Sequence, residues 1–352
     1  LGTISGISVI ICCFNSELRI TRTLEALSKV DVPDNVRCEF VLVDNNCTDK
    51  TVEVALSTWQ AIKSTVPLQI VFQKTPGLAN ARRKGIEVSQ HPVLVFCDDD
   101  NWLSEGYLKF ALGVLHHDQK VAAVGGHGIP VFEGNGKPAW FDEFSEAFAV
   151  GRQDMDVENG RLISLYGAGL VVRRSALAFI DSAGFRPYFT GRKGKYLSST
   201  EDTELTNVLV LCGFKLFYSK EMVFHHFMPS ARMNETYLTN LFAAFGNDAP
   251  VRNLYHSFLS QRVPHRWMRF WSIQVVVSVF RLVKYWISPP KKGGRKVYLS
   301  WSVCNLKSLI RLHGKFKEVK LNLQHIERSA SSLWQNNRIR FDDAFNLEPF
   351  QS

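Results

Sequence analysis

Val93-Leu94-Val95-Phe96-Cys97-Asp98-Asp99-Asp100 is the stretch on which the reading of this chain turns. An unbroken apolar run suits a strand buried on both faces of a parallel sheet. Three carboxylates follow at its carboxyl end, where open α/β sheets bind their ligands. Carboxylates so placed repel one another unless a cation is present. Oxygen donors of this kind select hard divalent ions such as Mg2+ or Mn2+, which can bridge a diphosphate. A carboxylate-rich loop capping the helix expected from Ser104 would give a similar string, but the strand-end position favours a ligand site.

Outward from this strand the same pattern repeats. Residues 7–13, 40–44 and 68–72 are short apolar runs that read as strands. Helical patterns fill the gaps: after Ser16, from Thr48-Asp49 to about Ala61, over 77–89 and over 104–117. This βαβα order predicts a doubly wound α/β domain. Past Gly125 the pattern loosens. Residues 121–125, 169–173 and 215–219 read as strands, and 188–199 as a mobile Gly-, Lys- and Ser-rich loop. A helix from Thr200 ends at Gly213, a good residue for a left-handed stop. After Met228 the composition shifts. Residues 234–245, 266–287 and 300–320 look helical, with a break at Pro289-Pro290 and the cations of 291–296. Two regions follow: an α/β domain over 1–228, and a helical, basic, aromatic-rich region over 229–352.

The chain has 352 residues, of which 45% are hydrophobic and 21% charged, so a folded core is expected rather than disorder. Its net charge of +9 is unevenly placed. Between Arg252 and Arg328 sixteen Lys and Arg face two acidic residues, so the basicity belongs to the C-terminal region. Such a tail suits an anionic surface, phospholipid or nucleic acid. The uncharged run over 270–280 is far shorter than the roughly 20 residues needed to span a bilayer. Aromatics beside cations suit a helix lying in a membrane interface; a helix packed on the α/β domain with a solvated basic face would look the same. None of the seven cysteines forms a CxxC pair, which favours buried reduced thiols and a cytoplasmic location. The first apolar run reads as a strand rather than a leader. The sequons at Asn46 and Asn234 have simpler explanations in local structure.

Four further motifs could carry chemistry. Asp44-Asn45-Asn46-Cys47-Thr48-Asp49 again stands between a strand end and a helix, where a carboxylate can accept from a ribose hydroxyl or a base N–H. Capping by Thr48 or Asp49 explains part of it. Gly77-Leu78-Ala79-Asn80-Ala81-Arg82-Arg83-Lys84-Gly85 opens a helix whose N–H groups favour anions. Thr200-Glu201-Asp202 places carboxylates at a helix start, where they are held ionised and available as bases. His225-His226 could add an imidazole to a metal site.

Taken in order, these signals resemble glycosyltransferase family 2, inverting enzymes of the GT-A fold, over roughly residues 7–228. Ser8-Val9-Ile10-Ile11-Cys12-Cys13-Phe14-Asn15 resembles that family's first strand and turn. Asp98-Asp99-Asp100 resembles its DxD motif, Gly167-Ala168-Gly169 with Arg173-Arg174 its acceptor-side strand, and Glu201-Asp202 its ED motif. The resemblance implies that Asp202 is the base, supported by Glu201. It implies that Asn15, Glu17, Asp44, Arg82, Asp98 and Asp99 gather around the donor. Asp100 would hold Mg2+ or Mn2+, with His226 favoured over His225 as a further ligand. Two cysteines replace a frequent Pro-Thr pair, and Asn45 replaces a frequent second Asp, which bears on base recognition rather than on the reaction. Residues 261–267 are similar to the QxxRW motif of processive members but with different spacing, so transfer of single sugars is expected. The implied donor is a nucleotide sugar, UDP being the commonest. The implied acceptor is a glycan or lipid-linked glycan at the inner face of an anionic membrane.

Other classes fit less well. A nucleotidyltransferase would want a Gly-rich cationic loop after the first strand, where Phe14-Asn15-Ser16-Glu17 stands. A nucleic-acid-binding protein would leave the aspartates without a purpose, and a non-catalytic scaffold would not need the full carboxylate set.

Overall fold

The computed structural model describes residues 4–335, apart from 135, 154–156, 159, 193–196, 198–199, 289 and 291–293. The first half alternates as expected: β1 (Gly6–Cys13), α1 (Ile20–Leu27), β2 (Arg37–Asp44), α2 (Thr51–Ile62), β3 (Leu68–Phe72), α3 (Leu78–Val88) and β4 (Val93–Asp98). Then come β5 (Asn101–Leu103), α4 (Tyr107–His117), β6 (Val121–Phe132), α5 (Phe141–Phe144), the short pair β7 (Val157–Glu158) and β8 (Arg161–Leu162), and β9 (Leu170–Arg173). The chain continues through α6 (Arg174–Ser182), α7 (Glu201–Leu211) and β10 (Lys215–Met228). It ends in α8 (Glu235–Leu259), α9 (Val263–Trp267), α10 (Trp271–Ile287) and α11 (Arg295–Gln335).

Eight of the described strands form one mixed sheet in the order β3-β2-β1-β4-β9-β6-β10-β5. The first four are parallel, with Ile10 opposite both Val41 and Phe96. Every residue of β1 is buried, because helices cover both faces of this part of the sheet. β9 runs antiparallel to both β4 and β6. Its insertion brings the Gly167–Ala168–Gly169 approach beside the carboxyl end of β4. β5 pairs antiparallel with β10, setting Asn101 opposite His226.

Several boundaries differ from the sequence expectation, each for a tertiary reason. The strands expected at 121–125 and 215–219 run on to Phe132 and Met228, paired along a parallel ladder with a register shift between Tyr218 and Val223. His225 and His226 therefore lie within β10 rather than after it. The continuation depends on Gly126, where a Cβ would come within 2.2 Å of the Met222 carbonyl. The helix expected to stop near Phe245 continues through Pro250 to Leu259. Pro lacks the N–H of a helix interior, but here the residue is buried and its carbonyl accepts from Gln274 Nε2 at 3.1 Å. The helical stretch at 266–287 is split into α9 and α10, and α11 extends the stretch at 300–320 at both ends. α6 was not expected. Gly213, at φ +95°, ends α7 as foreseen. Asn234 explains its sequon by capping α8, its side-chain oxygen accepting from Tyr237 N–H at 2.9 Å.

α8 and α11 are not a loose appendage. Leu254, Phe258, Leu309 and Leu323 share one hydrophobic core with Leu94, Phe96 and Val172 of the sheet. Trp334 Nε1 donates to the Cys212 carbonyl at 2.7 Å. All seven cysteines are free thiols. Burial pushes Cys12 and Cys212 up to about 12, so both stay protonated near neutrality.

Candidate active site

A cavity of about 970 Å³ opens where the carboxyl ends of β1 and β4, the end of β10 and the start of α7 meet. Cys12, Asp98, Asp100, Glu201, Asp202 and His226 line it, together with Tyr237, Phe242, Arg252 and Trp301 from α8 and α11.

The three consecutive aspartates turn in three directions. Asp98 faces Arg82, with Oδ1 and Nη2 3.8 Å apart. Burial, opposed by Arg82 and aided by Asp100 and Asp99, pushes its carboxyl up to about 6. Asp99 turns toward α1. It accepts from Arg19 Nη2 at 2.8 Å and from the Ser16 hydroxyl, while Thr23 donates to its carbonyl at 2.7 Å. Asp100 is bound by Arg232 Nη1 at 3.0 Å, and its other oxygen lies 3.5 Å from His226 Nε2. Burial alone would raise the Asp100 carboxyl, but His226, Arg232 and Arg19 more than offset it, so the group is held well below the usual carboxylate range.

Arg82 joins the two ends of the carboxylate cluster. Its Nη1 lies 3.8 Å from Glu201 Oε1, and its guanidinium stacks over Phe96 at 5.2 Å. Rather than standing free beside a nucleotide, it bridges Asp98 and Glu201. Asp202, the second residue of α7, is aimed by two backbone donors: Gly167 N–H at 2.6 Å and Thr203 N–H at 2.8 Å. Burial raises the Asp202 carboxyl against the pull of Arg82 and both N–H groups. Burial and the neighbouring Asp202 push Glu201 up to about 7. Carboxylates tuned toward neutrality in a cleft are the hallmark of acid–base sites.

The remaining expected residues form the rim. Asn15, in left-handed conformation at φ +51°, accepts from Thr48 N–H at 2.8 Å. Glu17 accepts from Lys50 N–H at 2.9 Å, and Asp44 from Cys47 N–H at 2.8 Å. The first two bonds tie the loop after β1 to the loop after β2, and the third closes the turn after β2. None of the three lines the cavity, whereas Asn45, Cys12 and Phe14 do. Asp49 holds the start of α2, accepting from Thr51 N–H at 3.1 Å. Of the loop at 188–199, residues 193–196 and 198–199 lie outside the described set. Its first part is anchored by the Tyr188 and Phe189 N–H groups on Glu204.

Arg232 and Gly167 complete the site in ways the sequence did not signal. Arg232 reads as an ordinary surface cation in a turn. Gly167 stood in a motif, but its service to Asp202 through a backbone N–H carries no residue-type signature.

The donor chemistry fits a divalent cation. Asp100 is a hard, ionised oxygen donor beside an imidazole, and His226 Nδ1 is buried without a hydrogen-bond partner. His225, one residue along the strand, points to the opposite face and sits opposite Trp102. Among the described residues no three His, Cys, Asp or Glu side chains converge as a closed ligand set. Mg2+-type sites need none, since one or two carboxylates with substrate phosphates and water suffice.

Residues 8–180 match the family described as Glycosyl transferase family 2. These residues form a glycosyltransferase domain of this family. The match takes in the strand-end carboxylates Asp98, Asp99 and Asp100 and ends before Glu201 and Asp202. Among curated proteins, the poly(ribitol-phosphate) beta-N-acetylglucosaminyltransferase TarS of Staphylococcus aureus is 28% identical over 131 residues, 35% of this chain. That match spans only 22% of the relative's own length. Among solved structures, S. aureus TarS 1-349 superposes with a TM-score of 0.52 at 16% identity, covering 95% of this chain and 93% of that one. A mannosyltransferase from Pyrobaculum calidifontis, solved with GDP-Man and Mn2+, gives 0.53 at 14% identity, covering 93% of this chain and 86% of that one. These likenesses show the GT-A fold, with the helical C-terminal region included in the superposed length.

Proposed function

We propose that this family 2 glycosyltransferase moves a single sugar, with inversion, from a nucleotide sugar to a hydroxyl of a glycan or lipid-linked acceptor. The observation that carries the proposal is that Asp98 and Asp100 share one cavity with Asp202, with Arg82 between Asp98 and Glu201. Asp98 faces the donor ribose, and Asn45 and Phe14 lie beside the base. Asp100 and His226 would hold Mg2+ or Mn2+, which supplies charge neutralisation for the leaving diphosphate. Structures of TarS with UDP-GlcNAc and of the P. calidifontis enzyme with GDP-Man and Mn2+ support a nucleotide-sugar donor, and uracil is the base we favour.

Asp202 accepts the proton of the acceptor hydroxyl through the carboxylate that Gly167 N–H orients. The acceptor oxygen then forms its bond to the anomeric carbon as the bond to the diphosphate oxygen breaks, and the electron pair leaves with the nucleoside diphosphate. Inversion follows from one displacement on the face opposite the leaving group; oxocarbenium character in the transition state is expected as in glycoside hydrolysis. Glu201 and Arg82 hold Asp202 in place and balance its charge. The basic C-terminal region brings the enzyme to an anionic membrane surface, on the cytoplasmic side.

Calorimetric titration of UDP, with Mn2+ and with EDTA, tests the donor half. Binding that requires Mn2+ and fails in Asp100→Ala is the expected result. Silence toward UDP, GDP and dTDP alike would overturn the reading.

A further inference from the structure

α10 turns only part of its apolar surface inward, where Trp271 and Val275 pack against the core. A surface helix of a water-soluble domain turns its apolar stripe inward and its polar face to solvent. Here Gln274 and Ser278, 0% and 2% exposed, point at the protein. Gln274 Nε2 donates to the Pro250 and Met268 carbonyls at 3.1 and 2.8 Å. Asn253 Nδ2 on α8 donates to Gln274 Oε1 at 3.3 Å, and Asn305 Nδ2 on α11 donates to Ser278 Oγ at 3.0 Å. The opposite side carries Val276, Phe280, Val283 and Ile287 at helical spacing, flanked by Val279 and Trp286. All six are exposed, Phe280 to 68% and Ile287 to 69%. Val263, Trp267 and Phe270 extend the exposed apolar surface ahead of the helix. A contiguous patch of this kind marks an interaction site.

Charge selects the occupant. Exposed Arg266 and Lys284 lie among these side chains, and Lys320 Nζ sits 4.9 Å over the Phe270 ring. The segment from Arg252 to Arg328 holds sixteen cations against two acidic residues. A second copy of the chain would set these cations against their own kind, which is costly. An anionic bilayer would pair with them while its acyl region takes the aromatics. Spanning is excluded for the described helices, none of which is long and apolar enough. The 17 residues of α10 reach about 25 Å, less than the roughly 30 Å of a hydrocarbon core.

We propose that the outward face of α10, with Trp267 and Phe270, docks in the plane of an anionic phospholipid surface. This deepens the peripheral-membrane part of the functional reading and rests on it, but needs nothing of the catalytic assignment. The same α8 and α11 that bury the polar side of α10 supply Tyr237, Phe242, Tyr298 and Trp301 to the cavity. Apolar burial and lipid charge act together in interfacial helices.

The test is co-sedimentation of the full chain with phosphatidylcholine vesicles, with and without phosphatidylglycerol. Binding should require phosphatidylglycerol and weaken about tenfold or more in Phe280→Glu/Ile287→Glu. UDP binding in Mn2+ should be unchanged in that variant, which shows that it is folded. If it does not fold, the unaltered chain still decides: brominated acyl chains should quench its tryptophan emission, and Trp267→Phe/Trp286→Phe should lose most of that quenching. Indifference to anionic vesicles, unaltered binding by the Glu variant, or a dimer that the Glu variant disperses would each overturn the proposal. Loss of UDP binding with vesicle binding intact would instead sink the donor assignment alone.

Discussion

The backbone N–H of Gly167 donates to Asp202 Oδ2 at 2.6 Å, so a residue without a side chain aims the carboxylate assigned as base. A Cβ at Gly167 would come within 2.5 Å of Arg82 Nη2 and 2.8 Å of Asp202 Oδ2. Gly167→Ala should therefore displace both groups and lower kcat about 100-fold or more, since a general base is worth about 10²–10⁴-fold. Asp202→Asn should do the same. UDP affinity should stay within about threefold in both variants, read by calorimetry beside steady-state kinetics. A Gly167→Ala enzyme with ordinary kcat would remove Asp202 from the base role.

Both carboxyls at the start of α7 are pushed up, Glu201 to about 7. At low pH they hold protons, and a protonated Asp202 cannot accept another. Transfer should thus rise with pH above the usual carboxylate range. Part of the upward shift is repulsion within the pair, which belongs to both members. Glu201→Gln removes that repulsion, so the acid limb of its kcat profile should move to lower pH. A limb that stays where it was would mean that another group titrates.

Asp99 and Asp100 are adjacent but should fail differently. Asp99→Asn weakens the tie to Arg19 and Ser16, and should cost about 1–3 kcal/mol in urea unfolding with little change in UDP affinity. Asp100→Ala should abolish the Mn2+ dependence of UDP binding. The reverse pattern, with Asp99→Asn blind to UDP at full stability, would exchange the two assignments.

Close packing of α8 on α11 depends on Gly246, where a Cβ would meet the Trp301 carbonyl at 2.2 Å. That neighbour is backbone and cannot rotate away. Gly246→Ala should cost about 1–3 kcal/mol and, by shifting Trp301 in the cavity wall, raise the KM for acceptor more than that for donor. Equal changes in both would place Trp301 outside the acceptor path.

Much of the architecture was legible because its signals are local. β1, β2 and β4 are built around continuous apolar runs, as strands buried on both faces require, while β3 at the sheet edge is only partly buried. Glu201 and Asp202 were found because a helix start is written in neighbouring residues. The full length of α8 was not legible, because its second half is held by tertiary contacts such as that of Gln274 with the Pro250 carbonyl. The length of β10 was hidden for a similar reason: its second half is held by β6 across a register shift. The orientation of α10, with Gln274 and Ser278 inward and Phe280 and Ile287 outward, could not be read either, since composition alone does not say which face meets the protein.

By itself the sequence determined that a buried parallel strand delivers three carboxylates to the ligand-binding edge of an α/β sheet. Tertiary structure alone decided what each of them does. Arg19 reaches Asp99 from 80 residues earlier, and Arg232 reaches Asp100 from 132 residues later. Side chains of consecutive residues leaving a strand diverge, and their ionisation is set by whichever cations the distant chain brings within a few ångströms.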